Sequence, residues 1–293
     1  MADIDKPEDT KNIEEYLKLE KRKYDLYRKE PKLLALGSSD SGKSTLLKQL
    51  KIIYGNGFTK QEIQSYKSHI IQSILHVIEF LLSKSPDDIQ STYQHLNTFI
   101  QQQKEPLNYL SDDTIQLIQN WWSDSIIQFK FIELQSLVPD SIAHFFEKIG
   151  LIATKNGTLT NDDILLARIP TQSVSDTIFD IPAPNSTTFK LHYFDVSGLI
   201  HHRKHWISYF EDVATVIFII SLNAYDQVLV EDPTINRMHD SLTLFDEIVN
   251  HPLLDKPGIM LFLNKKDLYE KKIKNIPIQT YFPDYVGILI YKL

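Results

Sequence analysis

Gly37-Ser38-Ser39-Asp40-Ser41-Gly42-Lys43-Ser44 is the stretch on which the reading of this chain turns. It fits G-x-x-x-x-G-K-[ST], a pattern that chance would place in roughly 1% of chains this long. The apolar run Pro31-Lys32-Leu33-Leu34-Ala35-Leu36 before it has the length of a buried strand, and a helical pattern begins at Lys43. Between a strand and a helix, two glycines let successive backbone N–H groups converge on one anion. Lys43 adds a point charge for β and γ phosphates, and the Ser44 hydroxyl can ligate Mg²⁺. The loop predicts a nucleotide site.

Working outward, PKLLALG (31–37), TTFKLHYFDV (187–196), VATVIFIISL (213–222) and GIMLFLN (258–264) are short apolar runs rich in β-branched or aromatic residues. Each precedes a polar or helical stretch, which predicts an α/β layer with a mostly parallel, buried sheet. Between Gly57 and Gly150 the chain has no glycine, and apolar residues recur at helical spacing. They are Ile70, Ile71, Ile74, Leu75, Ile78 and Leu81, then Ile115, Ile118 and Trp122, then Ile142, Phe145, Phe146 and Ile149. Pro86, Pro106 and Pro139 stand where helices can begin. Residues 58–159 therefore read as an all-helical domain interrupting an α/β domain made of 31–57 and 160–293. Residues 1–30 hold a charged helix whose Ile13, Leu17, Tyr24 and Tyr27 form a narrow stripe.

Composition narrows the function. The 293 residues carry 42% hydrophobic and 24% charged side chains, an ordinary globular mixture that excludes a disordered or collagen-like chain. A net charge of −7 argues against bulk nucleic-acid binding. With no Cys, disulfides, thiolate metal sites and thiol nucleophiles are excluded. The apolar runs are too short to span a bilayer, and the start MADIDKPEDT lacks a signal-peptide pattern. The expectation is a soluble, intracellular protein.

Two weaker motifs follow in order. Asn264-Lys265-Lys266-Asp267 ends the run GIMLFLN, where a carboxylate at Asp267 can accept hydrogen bonds from guanine N1–H and its exocyclic amine. Adenine offers an acceptor at N1 instead, which disfavours ATP. Asp195-Val196-Ser197-Gly198 fits D-x-x-G after a strand, so Asp195 can hold Mg²⁺ through water and the Gly198 N–H can meet a γ-phosphate.

With these residues in place, the chain resembles the α subunits of heterotrimeric G proteins. GSSDSGKSTLLKQLKIIYG (37–55) is similar to that family's phosphate loop and first helix. Residues 206–248 and LFLNKKDLYEKKI (261–273) resemble its second half, and the resemblance covers about residues 11–287. It implies a Ras-like P-loop GTPase domain with an inserted helical domain, clamping GTP or GDP with Mg²⁺. The nucleotide would lie against Gly37, Asp40, Ser41, Gly42, Lys43, Ser44 and Thr45 and against Asn264, Lys265, Lys266 and Asp267. It would also meet two switch segments, one of Leu165, Leu166, Ala167, Arg168, Ile169, Pro170 and Thr171, the other of Asp195, Val196, Ser197, Gly198 and Leu199. Arg168 falls on the built-in arginine finger, and Thr171 on the second Mg²⁺ hydroxyl beside Ser44.

The departures are informative. Leu166 replaces a common Arg, which removes a polar contact to nucleotide. Pro170 replaces a residue with an N–H and stiffens the loop. Leu199 stands where the family's Gln orients the attacking water, so hydrolysis is expected to be slow. Ser197 adds a β-carbon where a flexing Gly is expected. Beyond Phe282-Pro283-Asp284-Tyr285-Val286-Gly287 the resemblance expects a further strand and helix, so an open sheet edge and an uncovered apolar face are expected. Ala2 and the lack of Cys predict no lipid attachment.

The resemblance implies a βγ dimer, a G-protein-coupled receptor with its contact weakened, and a downstream effector as partners, without nucleic acid. It implies a cytoplasmic protein held peripherally at the inner face of the plasma membrane through βγ. The helix of residues 11–30 and the segment of Arg203, Lys204 and Trp206 would face βγ. His201 and His202 read as surface residues, and no His pattern suggests a transition metal. Competing readings are a GTP-holding module that does not turn over and acts by sequestration, and a relative that holds no nucleotide.

Overall fold

The computed structural model describes residues 8–103, 107–171, 174–183, 187–229 and 231–286. Pro106, the Ile13 side chain and residues 287–293 lie outside them. In chain order the elements are α1 (Glu8–Lys29), β1 (Lys32–Leu36), α2 (Lys43–Tyr54), α3 (Lys60–Ser83), α4 (Asp87–Thr92), α5 (Gln94–Gln102) and α6 (Asp112–Trp122). Then come α7 (Ser125–Leu134), α8 (Ile142–Glu147), α9 (Ile149–Ile152), α10 (Asn161–Leu166), β2 (Ser175–Pro182), β3 (Thr188–Asp195) and α11 (Ile200–Arg203). The series closes with β4 (Thr215–Ser221), α12 (Arg237–Val249), β5 (Gly258–Asn264) and α13 (Lys266–Lys272).

The strands form one sheet in the order β2-β3-β1-β4-β5. β1 pairs in parallel with β3 and β4, and β4 with β5. Placing β1 and β4 centrally explains their unbroken apolar sequences, since both faces are covered. One face packs Leu34, Leu36, Phe194, Phe218 and Val216 against Trp206, Leu244 and Ile248. The other sets Ala35, Tyr193 and Phe179 against Leu46, Leu47 and Leu50 of α2. The C-terminal ends of β1, β3 and β5 thus open on one rim, where ligands of such sheets bind.

The sheet is mostly parallel, as expected, and two features of its edges stand out. β2 is absent from the sequence reading and runs antiparallel to β3. Its Asp176, Ile178 and Asp180 face outward while Phe179 is buried, so charged residues interrupt the apolar signal. β5 lies at the sheet edge, and its Met260, Leu261, Phe262 and Leu263 are 41–56% exposed. An open edge and bare apolar side chains are thus present at β5.

Helices α3 to α9 share a separate core. Ile70, Ile71, Ile74, Ile78 and Leu81 of α3 are buried with Ile115, Ile118, Phe145, Phe146 and Ile149, as their spacing predicts. Trp122 is an exception, since Trp121 takes the buried place in α6. Trp122 instead stacks on Phe146 at 4.2 Å, half-buried. A capping box of Thr59 and Glu62 starts α3. The stripe on α1 is not buried: Leu17 and Tyr24 are exposed, and the helix is tied down at its end by the Arg28 guanidinium on Asp212.

Asp163, at the start of α10, joins the helical region to the chain returning to the sheet. It is buried and accepts from Lys148 Nζ (2.9 Å), the Thr160 N–H (2.9 Å) and the Thr160 hydroxyl (2.7 Å), with His144 Nε2 at 2.7 Å. Burial opposes its ionisation, but the bonds from Lys148 and Thr160 outweigh that and hold the carboxyl well below the usual range. A depressed carboxyl stabilises the fold above the unfolded value near pH 4 and loses that contribution as pH falls. Asp163→Ala is expected to cost about 2–4 kcal/mol in urea unfolding and to flatten the acid limb of stability. An unchanged midpoint with an unchanged acid limb would contradict this role.

Candidate nucleotide site

The loop between β1 and α2 is shaped by its sequence. Gly42 takes φ +114°, and a Cβ there would collide with the Asn264 amide. That amide donates to the Ser41 carbonyl at 2.8 Å, which ties the loop to the end of β5. Arg237 of α12 braces the loop from outside, donating to the Ser39 carbonyl at 2.7 Å. Lys43 is buried, and its Nζ donates to the Gly37 carbonyl (3.0 Å) and the Ser38 carbonyl (2.8 Å). Burial lowers its pKa to about 8, against the opposing pull of Asp195. The Ser41 hydroxyl is buried without a partner among the described residues.

A cleft of about 380 Å³ opens over this loop, within the usual range of ligand sites. Asp40, Ser41, Gly42, Lys43, Ser44 and Thr45 line it, with Leu165, Leu166, Ala167, Arg168, Ile169, Pro170 and Thr171 opposite. Ser197, Gly198, Leu199, Asn264, Lys265 and Asp267 also line it, as do Lys48 and Asp140. Leu199 therefore faces the cleft with no polar side-chain atom. Four expected residues stand elsewhere, Asp195 lying just beside the cleft with Ser44 and Thr171. Lys266 points out to pair with Glu270 at 3.3 Å. Val196 is packed in the sheet core. Gly37 lies beneath the loop and offers its carbonyl to Lys43.

Beside Lys43, three oxygen groups from distant segments meet. Ser44 Oγ lies 2.9 Å from Thr171 Oγ1 and donates to Asp195 Oδ2 at 2.6 Å. Asp195 Oδ1 is buried with no partner among the described residues. Burial pushes its pKa up, opposed by the Ser44 bond and by Lys43 and Lys48. A solvent-excluded carboxylate oxygen beside two hydroxyls is an all-oxygen donor set of the kind Mg²⁺ takes, and these residues fit the ion.

Cations gather around Asp40, which sits in the left-handed region at φ +58°. Burial works against its charge, but Lys265 (3.2 Å), Arg168 (3.8 Å) and Arg237 (3.5 Å) lower its pKa to about 2. Arg168 is thereby kept on the cleft wall, partly exposed. Lys265 also pairs with Asp140 at 2.9 Å, and Asp140 accepts from Asn223 at 3.0 Å. Asp140, Arg237 and Lys48 escaped the sequence reading. Lys48 donates to the Ile164 and Ala167 carbonyls (2.9 and 2.6 Å) and fixes the segment before Arg168. None of the three lies in a recognisable pattern; the fold alone carries Asp140 across from the helical region.

His202 also differs from expectation. It is half-buried, with Nδ1 2.9 Å from Ser197 Oγ, whereas His201 is exposed.

A phosphate loop on the rim of a largely parallel sheet, facing a helical insert across a cleft, defines a Ras-like nucleotide-binding protein of α/β class. The model of the G-protein alpha subunit family matches residues 7–288, and the chain belongs to that family. It is 36% identical to the guanine nucleotide-binding protein subunit alpha of Emericella nidulans over 282 residues, 94% of this chain and 78% of that protein. The G-protein complex alpha subunit gpaA of Aspergillus fumigatus matches at the same identity and coverage. The alpha-2 subunit of Kluyveromyces lactis is 35% identical over 87% of this chain and 48% of its own length.

Proposed function

We propose that the chain is a Mg²⁺-dependent GTP/GDP switch that works with a βγ dimer and relays signals from a G-protein-coupled receptor to an effector. The observation that carries this is the meeting beside Lys43 of Ser44 with Thr171 and Asp195, which lie 127 and 151 residues further along the chain. Ser44 and Thr171 would hold Mg²⁺ directly and Asp195 through water, and the bound ion would neutralise phosphate charge. Gly42, Lys43 and the loop amides grip the phosphates. Arg168 stands ready for charge developing on the transferred phosphoryl group. The helical residues 58–159 close the cleft, with Asp140 on Lys265 as one clasp. No helix among the described residues is long and apolar enough to cross a membrane. Placement at the inner face of the plasma membrane would come through βγ.

Leu199 supports slow GTP hydrolysis, because no side-chain atom there can orient a water. It equally favours a second reading, a GTP-holding module that acts by sequestering βγ or an effector. Both readings need guanine recognition by Asp267. In competition against labelled GDP, GTP is expected to displace the label and ATP to fail. Asp267→Ala should lower the GTP preference by roughly 10–100-fold, the worth of one or two hydrogen bonds to a charged acceptor. Equal displacement by ATP and GTP in the unaltered protein would reject both readings.

A further inference from the structure

Resting on the nucleotide-switch reading above, we propose that His202 is a positioning residue which, through Ser197, sets the preference for guanosine triphosphate over diphosphate. Ser197 stands where the resemblance expects glycine, and its hydroxyl is 2.9 Å from His202 Nδ1. The same oxygen accepts the Leu199 N–H at 3.4 Å. The turn they form rests directly on the phosphate loop. A Cβ built on Gly198 would lie 2.6 Å from Lys43 Nζ and 2.6 Å from the Ser38 carbonyl oxygen.

The peptides on both sides of Gly198 are fixed by side chains. Trp206 Nε1 donates to the Ser197 carbonyl at 3.0 Å, which sets the Gly198 N–H in the opposite direction across the planar peptide. Arg203 Nε donates to the Gly198 carbonyl at 3.0 Å, while its other nitrogens grip both oxygens of Asp240 at 2.7 and 2.8 Å. These bonds restrain carbonyls only. The Ser197 hydroxyl adds side-chain restraint within the turn: His202 Nδ1 fixes it at the shorter distance of 2.9 Å, which holds it in place to accept the Leu199 N–H. The Gly198 N–H is the group expected to meet a γ-phosphate, and a diphosphate has nothing at that place. Loosening this turn therefore weakens triphosphate binding alone.

The test compares GTPγS and GDP in competition against mant-GDP for the unaltered protein, His202→Ala, Ser197→Ala and the conservative His202→Asn. His202→Ala is expected to weaken GTPγS roughly three- to ten-fold, the scale of one hydrogen bond, and to leave GDP affinity unchanged, and Ser197→Ala is expected to weaken GTPγS by the same factor. His202→Asn, whose amide can still bond the Ser197 hydroxyl, restores most of the GTPγS affinity. A parallel loss for both nucleotides would show a general structural role and overturn the proposal, as would no change for either. Unaltered protein that binds neither nucleotide overturns the switch reading, and the proposal with it.

Discussion

Lys43→Ala is expected to lower affinity for both GDP and GTP by at least about a hundred-fold, since charge-assisted bonds to two phosphates are lost from a buried site. Lys43 is only 5% exposed, its ammonium held on the loop carbonyls at the base of the cleft, a place another side chain does not reach without rebuilding the loop. Its present acceptors are the Gly37 and Ser38 carbonyls, and their loss as partners costs some local stability. That effect is separable. Thermal unfolding of the variant without nucleotide should show a modest shift, while mant-GDP fluorescence should show no saturable binding. Retained binding with an intact fold would mean that the loop is a structural turn.

Leu199→Gln is expected to act in the opposite sense, raising single-turnover GTP hydrolysis by about a hundred-fold while leaving GTP affinity unchanged. A hydrogen-bonding group made effective only in the transition state contributes on that scale. The rest of the machinery is in place for the gain to appear: Arg168 and Thr171 line the same cleft as Leu199. Ser197 and Gly198 beside it are held by His202, Trp206 and Arg203, so the new amide would project from a restrained turn. Unchanged turnover in this variant would mean that slow hydrolysis, if observed, has another cause.

The sequence displayed the site better than its surroundings. Lys43, Ser44 and Asp267 are legible because phosphate and guanine recognition demand fixed residue types at fixed spacing. Central strands are legible because burial on both faces leaves an unbroken apolar run. β2 was not, because Asp176 and Asp180 alternate with its buried residues and a half-exposed strand reads like a polar loop. The choice of Trp121 over Trp122 for the core is beyond periodicity: the two lie about 100° apart around α6, yet Trp121 is three residues after Ile118 and Trp122 four, and both spacings fit one buried face. Asp140 and Arg237 were hidden for a different reason. Their contacts to Lys265 and the Ser39 carbonyl span 125 and 198 residues, and no local pattern records such a partnership. His202 was misread because a lone His beside charged residues carries no mark of the Ser197 hydroxyl it meets.

Whether this cleft holds guanine nucleotide is decided by denaturing the purified protein and identifying what it releases. Stoichiometric release of guanine nucleotide is expected, with GTP in excess of GDP because Leu199 cannot orient a water. Adenine nucleotide, or none from protein that is folded before denaturation, would contradict guanine-nucleotide binding.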